Sequence, residues 1–488
     1  MPQVYCEDFG RIPPQSPNVY SSATVNRLTE TQNSVANPKL WAVLAIATVA
    51  SFIFIAHIPG ANGPEYWHWD WRHPNAVRFY PFFFAVSVLV FIAIRFWRMS
   101  ARYLAIALLT LAALGLKVPA MVESQDGSAQ AAIRAVVRNR FSNSYFSDAV
   151  RVNKDMQAGR LTVHDLIAGY PKFMPNLGNH TRIRAPGLLL VNLAIIRLCG
   201  SDLDLAATIL GWSAAALAAL VVPMVYLLLR ALRRTKLEAF CGSAFYALCP
   251  APAMFFVSVD AIYPAVTCAL IILWINALRR KKPIYALAFG AALAATCFFT
   301  FNLLVLGLFL LAITAIPVYQ TRYRDLPRIA TLALVAVAVA TFIVIYLAAY
   351  FLTGLNLIAI FKSALVNQAA FAQRSGRAGL FTAGWDLYDF ALGTGFIGLL
   401  LAASYIISGK RRLIPILCLV QILFIACTQL LAVETARVWM FMIPLLMVPV
   451  GAELARWKWR HLVAVYLALA AISAVVAGNL QVLSTGLG

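Results

Sequence analysis

Between residues 40 and 478 the chain is a succession of apolar runs, each long enough to suggest passage through lipid rather than a place in a soluble core. The runs fall at 40–58, 79–97, 103–119, 205–229, 238–257, 262–278, 284–300, 303–318, 328–351, 389–408, 412–431, 436–453 and 461–478. A helix that crosses the hydrocarbon layer needs about 20 such residues, so the pattern predicts an all-α polytopic membrane protein with about thirteen transmembrane helices. Composition agrees. Of 488 residues, 62% are hydrophobic and 12% charged, against about 45–50% apolar and about 25% charged in ordinary soluble domains.

The formal net charge is +21. A nucleic-acid binder would gather that charge on one face. Here it recurs between the apolar runs: Arg95, Arg98 and Arg102; Arg230, Arg233, Arg234 and Lys236; Arg279 to Lys282; Arg322, Arg324 and Arg328; Lys410 to Arg412; Arg456, Lys458 and Arg460. With the N-terminus inside and strict alternation, every cluster falls on the cytoplasmic side, where short basic loops meet anionic headgroups. The C-terminus then lies outside, and the protein is expected in a bacterial inner membrane. Residues 1–39 read as a disordered cytoplasmic tail, 40–478 as the transmembrane domain and 479–488 as a periplasmic tail. The eight cysteines are scattered, mostly inside apolar runs, without a Cys-x-x-Cys pair, so they read as small buried apolar residues.

Alternation also constrains residues 186–198. Counted as a span, this short apolar run would invert every later loop, so it reads as an interfacial or half-inserted helix on the outer face. Outer segments then cover 60–78, 120–204 and 352–388. The second carries amphipathic stretches such as Ala129–Arg138, which predict juxtamembrane helices.

The residues that could do chemistry lie in these outer segments. Asp126 follows the third run, and His180-Thr181-Arg182-Ile183-Arg184-Ala185-Pro186-Gly187 leads into the 188–196 run. An acid can take a proton from a hydroxyl, and guanidinium forks suit phosphate oxygens. Asp260 sits in the outer loop Phe256–Pro264, and Glu434-Thr435-Ala436-Arg437-Val438-Trp439 opens the twelfth run. Plainer readings stand beside these. Asp126 and Asp260 can cap the helices after them, Glu434 and Arg437 can form an intrahelical pair, and His180 and Arg182 can anchor the interface. In the first outer loop His68, Asp70 and His73 have metal-ligand spacing, while Tyr66, Trp67, Trp69 and Trp71 around them read as an aromatic belt.

The order Asp126, then His180 to Gly187, then Asp260, then Glu434 to Trp439 resembles the GT-C class of membrane glycosyltransferases, which includes the protein O-mannosyltransferases and the lipid A aminoarabinose transferases. Many bacterial members close a periplasmic loop with a His-Thr-Arg-x-His-Pro-Pro-Gly-like segment, and Arg184-Ala185 depart from it. The resemblance implies transfer of a glycosyl unit from a polyprenyl-phosphate donor to a glycan, lipid or protein acceptor on the outer face. It implies Asp126 as base, with Asp260 as a second catalytic acid and Glu65 or Asp70 as alternative acids. His180, Arg182, Arg184, Glu434 and Arg437 would contact substrate or lipid phosphate, and a divalent cation, magnesium or manganese, could assist. A secondary transporter or lipid flippase, and a non-catalytic membrane scaffold or polymer ligase, are the competing classes.

Overall fold

A computed structural model describes residues 38–55, 80–123, 128–139, 143–255, 257–319, 328–374, 382–410, 412–428, 430–431 and 435–479. Residues 1–37 of the tail expected at 1–39, residues 480–488 of that expected at 479–488, and the expected first outer loop, with Glu65, His68, Asp70 and His73, lie outside the described residues, while Pro38, Lys39 and Asn479 are helical. No strand occurs among those described.

The helices are α1 (Pro38–Ile55), α2 (Tyr80–Arg98), α3 (Arg102–Glu123), α4 (Ala129–Arg138), α5 (Ser144–Gln157), α6 (Val163–Ala168), α7 (Tyr170–Phe173), α8 (Gly187–Leu198), α9 (Leu203–Ala219), α10 (Val221–Ala231), α11 (Lys236–Ala247) and α12 (Pro250–Met254). After them come α13 (Tyr263–Arg280), α14 (Pro283–Phe299), α15 (Gly307–Tyr319), α16 (Arg328–Thr353), α17 (Leu357–Arg374), α18 (Ala383–Gly393), α19 (Ile397–Ser408), α20 (Leu413–Thr428), α21 (Thr435–Val438), α22 (Ile443–Leu454) and α23 (Trp459–Asn479). Among them, five stretches are long and apolar enough to cross a membrane: Pro81–Arg98, Leu203–Ala231, Val259–Arg280, Ile329–Thr353 and Trp459–Val476. They become six if α18 and α19 count as one span. Over Ile329–Thr353, 25 residues of hydropathy 2.7, only 11% of the most apolar window is buried inside the protein. Water would not tolerate such a surface, and lipid covers it without cost.

Prolines and glycines set where the apolar runs break. The run at 205–229 is nearly continuous but interrupted at Leu220 between α9 and α10, three residues before Pro223, whose ring clashes with the preceding turn. The run at 238–257 is divided at Leu248–Cys249, because the residue before Pro250 is forced into an extended conformation (Cys249 φ −62°, ψ 140°). The run expected at 389–408 begins earlier, at Ala383, and turns through 103° between α18 and α19. Gly395 (φ +65°) and Phe396 (φ +59°) make that turn with left-handed backbone.

Two apolar cores form. The larger joins α1, α2, α3, α10 to α13, α18 to α20, α22 and α23. The second takes Ile133 and Val137 of α4, Phe146 and Val152 of α5, Leu166 of α6, Tyr170 of α7, Leu189 and Leu193 of α8, and Ile360 of α17. The segment between α3 and α9, expected on the outer face, is therefore a small helical layer with its own core, and α8 is one of its buried members. At the other end, Glu453 accepts hydrogen bonds from Ser404 (2.9 Å), Arg456 (2.7 Å) and Trp457 Nε1 (3.2 Å) and lies 3.7 Å from Lys39 Nζ, tying α1 to α19 and α22.

Within the larger core α11 and α22 approach closely because both carry glycine at the crossing. A Cβ on Gly451 would lie 2.3 Å from the Glu238 carbonyl and 3.0 Å from the Gly242 nitrogen. Gly451→Leu should lower stability by about 1–3 kcal/mol in detergent-melting experiments. Gly307→Ala, at a position with open space, should melt with the wild type.

Candidate functional site

The site forms where the helical layer meets the larger core, and α5 fixes one wall of it. Ser144 Oγ accepts hydrogen bonds from the backbone nitrogens of His180 (3.1 Å) and Thr181 (3.0 Å), and lies 2.9 Å from Thr181 Oγ1. One turn on, Asp148 Oδ2 accepts from the Gly178 nitrogen (2.8 Å), and Tyr170 Oη reaches the carbonyls of Thr181 and Arg184 at 3.4 Å. The segment 178–184 has no regular structure to satisfy its backbone, so side chains of α5 and α7 do so. Gly178 is required there: a Cβ would sit 2.4 Å from Ser144 Cβ.

The segment ends against α14. A Cβ on Gly187 would lie 2.4 Å from the Phe298 carbonyl, so only glycine lets α8 start in that seat. The seat brings Arg184 to the end of α14, where its Nη1 donates to Thr300 Oγ1 (2.6 Å) and Tyr263 Oη (3.3 Å). The Arg184 guanidinium also lies 5.5 Å from the centre of the Tyr263 ring, a cation–π contact. Its Nη2 donates to Asp260 Oδ1 (3.0 Å).

Asp260 occupies a short 3-10 turn, Val259–Ala261, ahead of α13. Its second oxygen, Oδ2, lies 3.3 Å from Arg437 Nε of α21. Arg437 Nη2 is in turn 3.4 Å from His180 Nδ1; a guanidinium only donates, so Nδ1 is the acceptor. The exposures of Arg184, Asp260 and Arg437 side chains are 4%, 12% and 7%, so these charges are almost out of water. Four residues expected at the site from sequence, His180, Arg184, Asp260 and Arg437, thus converge from three distant segments.

The plainer readings can be checked. The N-cap of α4 is Ser128, whose side chain accepts from the Ala131 nitrogen at 3.2 Å. Asp260 does not cap α13, whose N-cap is Ile262. Arg182 Nη2 donates to Asn179 Oδ1 (2.5 Å), and the Arg182 carbonyl accepts from Asn367 of α17 (2.9 Å). Asp126 and Glu434 lie outside the described residues. No group of three or more His, Cys, Asp or Glu side chains that could hold a metal occurs among the described residues. Both oxygens of Asp260 face guanidiniums, so the described part of the site does not fit a divalent cation.

Sequence reasoning missed several participants. Tyr263 and Thr300 join the cluster although each looks like an ordinary residue at the end of an apolar helix. Asp386 and Asp389 are fully buried in α18, which packs against α21. The carbonyl of Asp386 accepts from Thr435 Oγ1 (2.9 Å), two residues before Arg437. Two acids inside an apolar run were the available signal.

No protein-family model matches the chain, and no curated protein matches it.

Removing the central carboxylate leaves two guanidiniums buried around nothing. Asp260→Asn should therefore lose about 3–5 kcal/mol of stability in denaturation of the detergent-solubilised protein. Asp155→Asn, which touches only the exposed Arg160, should stay within about 1 kcal/mol of wild type.

Proposed function

We propose that the chain is a multi-pass glycosyltransferase, with a GT-C-like fold of about thirteen spans, acting on the outer face of a bacterial cytoplasmic membrane. Its donor is a polyprenyl-phosphate sugar and its acceptor a hydroxyl of a glycan, lipid or protein. The observation that carries this reading is the buried cluster of two guanidiniums around one carboxylate, Arg184, Asp260 and Arg437. Among the described residues this cluster holds two guanidiniums and one carboxylate almost out of water, an arrangement that suits an anionic group brought from the bilayer. The Nε–H of Arg184 is also buried without an acceptor among the described residues, a donor still available to a ligand oxygen.

The chemistry follows from that charge. Attack of the acceptor oxygen on the anomeric carbon breaks the bond between that carbon and the phosphate oxygen. The electron pair passes to the phosphate, which gains charge as it leaves. Arg184 and Arg437 oppose the new charge, and their orientation is fixed beforehand by Asp260, Thr300 and Tyr263. In this scheme Asp260 aligns the arginines while Asp126, between α3 and α4, takes the acceptor proton. The route is inverting, with a single displacement. A transporter or flippase reading lacks a comparable observation.

Purified protein in lipid, supplied with radiolabelled polyprenyl-phosphate sugars, should yield a labelled product. Failure with a full panel of such donors, alongside a folded protein, counts against the reading. Asp126→Asn should cut turnover by about 10² or more without loss of folding. Arg184→Lys keeps the charge but loses the fork, so it should retain more turnover than Arg184→Ala. Equal rates for both would remove Arg184 from phosphate stabilisation.

Topology has its own test. Reporters fused after Arg234 and after Lys282 should be cytoplasmic, and one fused at Gly488 should be periplasmic. A cytoplasmic reporter at Gly488 would mean an even number of spans.

A further inference from the structure

Lys117 puts a charge on the buried face of α3. Ala105, Leu109, Ala112, Ala113 and Leu116 form the stripe of this helix that packs into the larger core, at the three- and four-residue spacing of one helix face. Lys117 continues the stripe one turn beyond Ala113 and is 2% exposed. Its Nζ is buried with no hydrogen-bond partner among the described residues. The helices that pack against α3 include α2, α4, α9, α10, α11, α12 and α23, and their sequences hold two acids, Asp204 and Glu238. Both are engaged elsewhere. Glu238 Oε2 accepts from the Thr235 nitrogen (2.6 Å) at the start of α11, and Asp204 pairs with Arg134 (3.6 Å) and Arg138.

A lysine near a membrane boundary ordinarily lays its stem along apolar surface and reaches its ammonium out to water. Lys117 is turned into the bundle instead. An ammonium out of water without an anion is costly, and such a group inside a membrane bundle marks a place where something binds. An anionic oxygen supplied from outside the chain would satisfy it.

Depth narrows the source of that oxygen. Lys117 stands 15 residues after Arg102, about 22 Å along the axis at about 1.5 Å per residue. With Arg102 at the cytoplasmic end, as in the topology proposed above, Lys117 lies two residues before the end of the 103–119 run, close to the outer headgroups. The anionic oxygens that a bilayer carries at this level are those of lipid phosphates, and a lipid chain suits the apolar core around the amine. We infer that Lys117 is an anion-binding residue whose ammonium donates to a phosphate oxygen of an outer-leaflet lipid. A polyprenyl phosphate and an acidic phospholipid both present that oxygen. The role does not depend on the proposed transfer reaction.

Lys117→Met keeps the length of the side chain and removes the charge. The full chain and this variant, in detergent micelles, are titrated with radiolabelled polyprenyl phosphate and, separately, with radiolabelled phosphatidylglycerol. Uncharged polyprenol and inorganic phosphate serve as competitors. Lys117→Met should weaken binding of one labelled lipid at least about tenfold, the effect of losing a hydrogen bond between charged groups. The lipid that shows the loss is the source of the phosphate. Without added lipid the variant should melt at or above the wild-type temperature, because an apolar side chain of similar volume replaces an unpaired buried charge. A variant that fails to fold, or melts well below the wild type, would mean that the ammonium has a counter-ion within the chain, and overturns the inference. Equal affinity of both proteins for both lipids overturns it too. So does wild-type protein that gives up its lipid to equimolar inorganic phosphate, or to polyprenol as readily as to the phosphate.

Discussion

The contact between Asp260 and its two arginines governs how the helical layer is assembled on the larger bundle. Moving three charges out of water costs several kcal/mol each, and the cost is recovered only when the geometry is good on every side. Asp260 meets Arg184 at 3.0 Å and Arg437 at 3.3 Å, and Arg184 spreads its remaining hydrogens over Thr300 and Tyr263. These partners come from the segment before α8, the turn before α13, the end of α14 and α21. None can shift far without stranding a buried charge, so the cluster fixes the helical layer against the bundle. Among the described residues the same arrangement gathers two guanidiniums and one carboxylate almost out of water, which is the property the proposed chemistry uses.

Small residues make that contact sterically possible. Gly178 lets the 178–184 segment lie on α5, and Gly187 lets α8 begin against Phe298. Pro250 and Pro252 stop α11 and divert the chain into the short α12, so that the following loop can present Asp260 from a 3-10 turn. The hydroxyl of Ser144 then supplies the backbone hydrogen bonds that an irregular segment lacks. Apolar packing positions the helices, and these few residues position the charges.

His180, Arg184, Asp260 and Arg437 were legible as site residues because charged side chains at the ends of apolar runs are conspicuous, and a resemblance put them in order. Arg182 was equally conspicuous, and its guanidinium bonds Asn179 of its own segment. Tyr263 and Thr300 were illegible: a tyrosine at the start of one apolar helix and a threonine at the end of another have no local mark of function. Asp386 and Asp389 carried a mark, but the expected start of their helix at 389 put Asp386 outside it. Gly395 and Phe396, which bend the chain through 103°, are what the one-dimensional pattern does not encode.

By itself the sequence determined the solvent and the secondary structure. Apolar runs of this length can satisfy their backbone in lipid only as helices, and that follows from composition and spacing without reference to any neighbour. What the tertiary structure alone decided is which charge meets which. Arg184, Asp260 and Arg437 are separated by 76 residues or more along the chain, and a side chain's partner depends on the direction in which it leaves its helix and on what is packed across from it. Those directions are set by close packing among many residues at once, so no short stretch of sequence contains them.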